Sequence, residues 1–153
     1  MLLPDCPAIG CGRAMIEIPD QISTLWIAAA LAAFLAKHYL ADFLLQTDWM
    51  AAGKERPKGW LVPLAAHTGV HGAMTALLFL MVSPPLAWLG IADALIHGVI
   101  DRLKSLAARR LQVTPRQVGF WWLFGADQSL HHLTHIGLAI LLAAAGSTSS
   151  MCG

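Results

Sequence analysis

Apolar residues gather in four long blocks along this chain, at residues 22–46, 61–82, 86–107 and 128–145, separated by short polar segments. Crossing about 30 Å of hydrocarbon takes about 20 helical residues at 1.5 Å each, and every block comes close to that or exceeds it. The punctuation is chemically distinct: residues 53–59 are charged and contain Pro57, Ser83-Pro84-Pro85 is a turn, and residues 112–119 are polar around Pro115. This pattern predicts an all-α fold, an integral membrane four-helix bundle over residues 22–146. An N-terminal extension (residues 1–21) is expected before it and a short tail (residues 147–153) after it. There is no internal repeat and no low-complexity segment.

Composition strengthens the membrane reading and removes other classes. The chain is 57% hydrophobic and only 12% charged, with a mean hydropathy of +0.61, which makes the bilayer the expected solvent. A net charge of +1 without a basic or acidic tail gives no footprint for nucleic acid, so no nucleic-acid partner is expected. Cys6, Cys11 and Cys152 lie near the two ends, outside every apolar block and without a CxxC pair, so they carry no zinc signature. Cys6 and Cys11 are candidates for a disulfide if that end meets an oxidising compartment. The first twenty residues lack a basic segment followed by an apolar one, so no cleavable signal peptide is expected, and Met15 is an alternative start to Met1.

Basic residues set the expected orientation. Lys54, Arg56 and Lys58 follow the first block, and Lys104, Arg109, Arg110 and Arg116 follow the third. Cationic loops stay on the cytoplasmic side, which puts these two loops inside and both termini and the turn at residues 83–85 outside. Indole rings favour the headgroup layer. Trp26 and Trp88 fall at the expected outer edge, and Trp49, Trp60, Trp121 and Trp122 at the inner edge.

The candidate chemistry lies within the apolar blocks. The first holds His38 and Asp42, the second His67 and His71, and the third Asp93, His97 and Asp101; the fourth is entered at Asp127 and continues with His131 and His135. Residues four apart share one helix face, so each block offers one polar stripe. Blocks one and three run toward the cytoplasm and carry their stripe late, whereas blocks two and four run away from it and carry theirs early. All four stripes are therefore expected at one depth, in the cytoplasmic half of the membrane.

An ionised Asp at mid-membrane costs on the order of 3 kcal/mol, so four of them need partners: imidazoles, a bound cation, or the bases Lys37, Arg102 and Lys104. Inward-facing His and carboxylate side chains on four helices are how bundles build metal sites. A shell of imidazole and carboxylate without thiolate selects a divalent metal such as Zn, Fe or Mn. The expected metal ligands are His38, His67, His71, His97, Asp101, His131 and His135. Asp42, Asp93 and Asp127 are the candidate catalytic groups, able to bridge ions, orient imidazoles or act as general base. Ten such groups are too many for one ion, and Asp93 and Asp101 stand about 12 Å apart along their helix. Two ions are the favoured expectation, and one ion with orienting carboxylates is the alternative.

The plainer roles fall mostly outside the stripes. A structural network of hydrogen-bonded histidines is the competing reading of the whole cluster. His132 lies off the stripe and is expected to pack, and Asp48 is expected to be a solvated helix end. Asp101 has Lys104 one turn away as a partner. Lys37 has three options: to snorkel to the inner surface, to pair with an aspartate, or to hold a substrate anion. Gln46 and Gln128 flank the cluster as hydrogen-bond donors. Gly69, Gly72, Gly98 and Gly137 lie beside the stripes, with close helix packing the favoured reading.

The strings His38-Tyr-Leu-Ala-Asp42-Phe-Leu-Leu-Gln46 with Trp49 and Lys54, His67-Thr-Gly-Val-His71, residues 93–101 with Lys104, and Asp127-Gln-Ser-Leu-His131 stand in a telling order and spacing. They resemble the small bacterial multi-pass membrane proteins called domain of unknown function 3307, over residues 22–141. The resemblance implies a bacterial inner (cytoplasmic) membrane protein and brings no established activity. The leading expectation is a metal-dependent hydrolase acting on a lipid-linked or amphipathic substrate reached from the inner leaflet, with membrane lipid as its surroundings. A divalent metal supports such chemistry by bringing the pKa of bound water near 7. No Glu lies in the cluster and no HExxH occurs, so the common zincin arrangement is absent. The alternatives are transport of protons or metal ions, where a homo-oligomer would widen the path, and a di-iron membrane oxidoreductase, for which six histidines are few. Haem held by paired histidines is a further alternative, disfavoured by the adjacent carboxylates.

Overall fold

A chain segment that cannot hydrogen-bond to water satisfies its backbone by coiling on itself, and the apolar blocks do so. A computed structural model describes residues 18–151. The cysteines, with the Cys6 to Cys11 pairing and the Met15 start, lie outside the described residues. Helix α1 (Thr24–Tyr39) continues into a π turn (Leu40–Leu44). It is followed by a short helix α2 (Asp48–Lys54), then α3 (Leu61–Val82), a 3-10 turn (Pro84–Leu86), α4 (Leu89–Leu111) and α5 (Val118–Met151). The described residues contain no strand. Local chemistry sets the boundaries. Thr47 Oγ1 accepts from Met50 N at 3.3 Å to start α2, and Pro63 sits in the first turn of α3, where its missing N–H costs nothing. Gln112 closes α4 in the left-handed region at φ 50°.

The second apolar block and α3 coincide residue for residue. Elsewhere the helices depart from the expected limits. The segment before the charged loop forms α2, and α5 begins ten residues ahead of the fourth block and continues into the tail as one helix of 34 residues. At about 51 Å it is longer than the hydrocarbon is thick.

Three stretches are long and apolar enough to cross a membrane: Thr24–Leu44, Leu61–Val82 and Val118–Thr148. Three of the four expected spans thus meet this measure, and α4 falls short of it because Asp93, Asp101, Arg102 and Lys104 fall within it. Those charges are not spread evenly. Asp93, His97, Asp101 and Ser105 are buried on its inner face, while Ile91, Leu95, Val99 and Leu103 are each more than half exposed on its outer one. The whole molecule shares this inversion. Among its eight largest fully buried side chains, six are polar, namely His67, His71, His97, Thr75, Asp93 and Ser105. The surface is rich in exposed Leu, Ile, Val and Trp. Proteins dissolved in water bury the opposite set, so this chain has the character of a membrane protein.

Along its axis the bundle has two unlike halves. Ala30, Phe34, Phe79, Leu138 and Leu142 form an apolar core in one half, and the stripes fill the other. At the polar end the basic loops lie together: Lys104 Nζ donates to Glu55 Oε1 at 2.8 Å, and the Arg102 guanidinium lies 4.0 Å from the Trp60 ring centroid. Helices α3 and α4 meet at Gly72 and Gly90, where a Cβ on Gly72 would stand 2.6 Å from Gly90 O. No such neighbour lies within 4 Å of a Cβ on Gly69. Gly72→Ala should therefore cost about 1–3 kcal/mol by overpacking. Gly69→Ala should be neutral or slightly stabilising. Unfolding of the two variants in mild detergent checks the contrast.

Candidate metal centre

The π turn aims the first ligand. Leu45 N donates to Leu40 O at 2.9 Å, an i to i−5 bond that widens the helix around Asp42. Such turns recur at functional sites. Asp42 Oδ1 lies 2.9 Å from His71 Nε2 and 3.5 Å from His67 Nε2, and His67 Nε2 lies 3.2 Å from His97 Nε2. One ligand atom from each of these four residues falls within 4.8 Å of all the others. Metal to nitrogen or oxygen bonds of about 2.0–2.1 Å place tetrahedral ligands about 3.3 Å apart. Three of the six edges straddle that value, a spacing at which these side chains could hold a small divalent ion.

Two further sets adjoin the first. His97, Asp101 and His131 form one, and His38, His71 and His135 the other. They are not equivalent. Lys37 Nζ donates to Asp93 Oδ2 at 2.6 Å and lies 3.1 Å from His135 Nε2, so an ammonium already occupies the lone pair that the His135 set would offer. Thr75 Oγ1 donates to the same Asp93 oxygen at 2.7 Å. His135 and Asp93 thus belong to a buried ion pair. By contrast, His131 lies 3.9 Å from Asp101 Oδ1 through Nε2 and 3.8 Å from Asp127 Oδ1 through Nδ1, and neither nitrogen has a hydrogen-bond partner among the described residues.

That shortage is general. The Nδ1 atoms of His38, His67, His71, His97, His131 and His135 are all buried without a hydrogen bond. Buried polar atoms are nearly always paired, and on the Nε2 side the protein's own groups do pair the rings of His38, His67, His71, His97 and His135. The Nε2 atoms of His67, His71 and His97 converge on the inner set, and His38 Nε2 lies 3.3 Å from both Asp42 Oδ2 and Gln128 Oε1.

All ten residues expected at the site lie in one half of the bundle, but in different company. Asp42, His67, His71 and His97 come together, with Asp101 and His131 beside them. His38 stands between, Asp127 accepts from Gln128 Nε2 at 3.2 Å at the rim, and Asp93 with His135 forms the inner end. Asp101 does not pair with Lys104. Its partner is Lys54, at 2.7 Å, because α2 folds beneath the bundle and brings Glu55 to Lys104 instead. Lys37 takes the second of its three options and pairs with an aspartate. His132 is half-buried, its ring 5.1 Å from that of His38. Asp48 is exposed in the first turn of α2. Thr75 and Ser105 were missed, although each continues a stripe by one more step of four. Lys54 and Glu55 carried no such signal.

Residues 30–152, which hold every one of these groups, match a family model described as Protein of unknown function (DUF3307). The chain belongs to this family. No curated protein and no solved structure matches it. For this DUF3307 chain the chemistry must be read from the site itself.

The Lys37 and Asp93 pair should behave as a unit. Lys37→Met should cost about 3–5 kcal/mol by leaving a buried carboxylate alone, and Lys37→Met with Asp93→Leu should recover at least half of that loss. Unfolding in mild detergent measures both.

Proposed function

We propose that this chain is an integral membrane metalloprotein that holds a divalent ion, Zn, Fe or Mn, between Asp42, His67, His71 and His97. Its function on this reading is hydrolysis of a lipid or amphipathic substrate. The observation that carries the metal assignment is the set of ligand separations of 2.9, 3.2 and 3.5 Å. An ion held there supplies Lewis-acid activation of water. Asp42, His67 and His71 are the fixed ligands. His97, which also reaches Asp101 and His131, is the ligand that can yield a fourth position to substrate, as catalytic sites require. Asp127 lies at the rim, where a free carboxylate oxygen suits a general base. Asp93 acts at a distance by fixing Lys37 and His135.

A cavity of about 230 Å³ at the polar end reaches Asp42, Asp101, Asp127 and His131, with the exposed rings of Phe43 and Phe124 at its rim. Pockets that enclose whole small ligands run from about 300 Å³ upward. This one suits the head of an amphipathic molecule whose apolar part stays outside. The basic loops around the cavity support a cytoplasmic mouth in a bacterial inner membrane, with both termini on the far side. The apolar outer face of α4 supports its crossing with the other three long helices. Ion transport is the weaker reading, because Phe34, Phe79 and Leu142 fill the other half of the bundle and leave a cation no polar route onward.

Metal analysis of protein purified in mild detergent tests the assignment. Wild type should carry a divalent metal or take one up from Zn²⁺, Fe²⁺ or Mn²⁺. Asp42→Ala with His71→Ala should lose it, and His135→Ala should retain it. Wild type that binds none of the three ions while remaining folded would end the metal reading. Ion flux in proteoliposomes would replace hydrolysis with transport.

A further inference from the structure

Three of the inner ligands, His67, His71 and His97, are buried, while Asp42 is half-buried in the wall of the cavity at the polar end, so an ion comes to the set from that cavity, which has the charge for one. Four carboxylates line it, Asp42, Glu55, Asp101 and Asp127, against the two ammonium groups of Lys54 and Lys104. With neutral histidines its wall is therefore net negative, and such a wall concentrates cations and repels anions. Asp101, Asp127 and His131 in its wall are buried. His131 has no hydrogen bond to either ring nitrogen, although it is 2% exposed. An imidazole desolvated in this way, beside two aspartates that it does not quite reach, is poised for a ligand.

The outer set formed by His97, Asp101 and His131 shares His97 with the inner one. The His97 ring centroid lies 3.7 Å from that of His71 and 3.9 Å from that of His131. A neutral imidazole offers a single lone pair and so binds one ion at a time. Two ions therefore cannot both have their full set of ligands, and the two sets alternate. Lys54 completes the arrangement. Its Nζ lies 2.7 Å from Asp101 Oδ2, where a cation entering the outer set would sit. At the far end Lys37 holds Asp93 in the same way, and the cavity that reaches the row there, at His135, is lined mainly by Leu31, Phe34, Leu35 and Ile136, so the charged approach lies at one end alone.

We propose that His97, Asp101 and His131 form an entry site for the divalent ion, kept closed by Lys54. This rests on the metal reading above. The arriving ion displaces the Lys54 ammonium from Asp101, is held by Asp101, His131 and His97, and moves inward as His97 turns to join Asp42, His67 and His71. The inner position is the resident one, and the protein holds one ion at equilibrium. The expectation of two ions, which rested on the number of candidate ligands and the separation of Asp93 from Asp101, becomes two positions for one ion.

The test uses full-length protein in mild detergent, stripped with a chelator and reloaded with Zn²⁺ against a chromophoric zinc indicator. Wild type should bind one Zn²⁺. Asp101→Asn and His131→Ala should slow loading tenfold or more, with stoichiometry retained and affinity within threefold of wild type. Lys54→Gln should load at least threefold faster, a gain that misfolding would not produce alongside an unchanged equilibrium affinity. Unchanged loading rates in all three variants, with one Zn²⁺ bound, would overturn the entry site and leave the inner site standing. Two Zn²⁺ in wild type, one lost in His131→Ala, would overturn it in favour of two permanent sites. Wild type that binds no Zn²⁺, Fe²⁺ or Mn²⁺ would overturn the entry site and the metal reading together.

Discussion

Charge held away from water governs this structure. Each ion taken into a low-dielectric interior carries a penalty of several kcal/mol unless it is closely paired, and four aspartates lie inside the bundle or at its rim. Their solutions differ. Asp93 has Lys37 and Thr75, and Asp101 has Lys54. Asp127 is satisfied in part by Gln128. Asp42 has no lysine; three imidazoles surround it, from His38, His67 and His71. The same pairings connect α1 to α4, α2 to α4 and α1 to α3, so the helices cannot slide or rotate without exposing an unpaired charge.

Much of this was legible in the sequence because helical geometry is regular. Spacing by four put His67 with His71, and Asp93 with His97 and Asp101, on single faces. The alternating direction of the blocks placed all the faces at one depth. Thr75 and Ser105 lay on the same faces and were within reach of that rule. What the sequence hid depends on irregular or distant structure. The π turn that aims Asp42 interrupts the helical repeat with no Pro or Gly to announce it. Helix α2 is seven residues long, too short for a periodic signal. The pairing of Lys54 with Asp101 joins residues 47 apart. Lys104, one turn from Asp101, was the obvious local partner, and Glu55 draws it away.

The contrast between the halves of the bundle bears on what the protein can do. A conduit needs polar groups along its whole length, whereas here phenylalanine and leucine close one half and an ion pair marks the boundary. The His and Asp clusters are thereby confined to the charged end. There the rings of Phe43 and Phe124 bring apolar surface to the edge of a charged cavity. That meeting suits a substrate with one end in lipid.

The same constraint explains how α4 can belong to a membrane bundle while failing as an apolar span. Alone in a bilayer, its two aspartates and its Arg102 and Lys104 would each cost on the order of 3 kcal/mol at mid-membrane and less toward the surface. The chain does not present it alone. A short turn through Pro84–Leu86 joins it to α3, which is apolar enough to insert, and these two helices make the most extensive contact in the molecule. Gly72 and Gly90 let their backbones touch. At that distance the inner face of α4 meets its partners directly: Asp93 meets Thr75, His97 meets His67, and Asp101 comes within 3.5 Å of His67. Only the face of Ile91, Leu95, Val99 and Leu103 remains outward. The hairpin of α3 and α4 thus presents an apolar exterior, and the glycine contact that brings the two helices together also keeps the charged face of α4 inside.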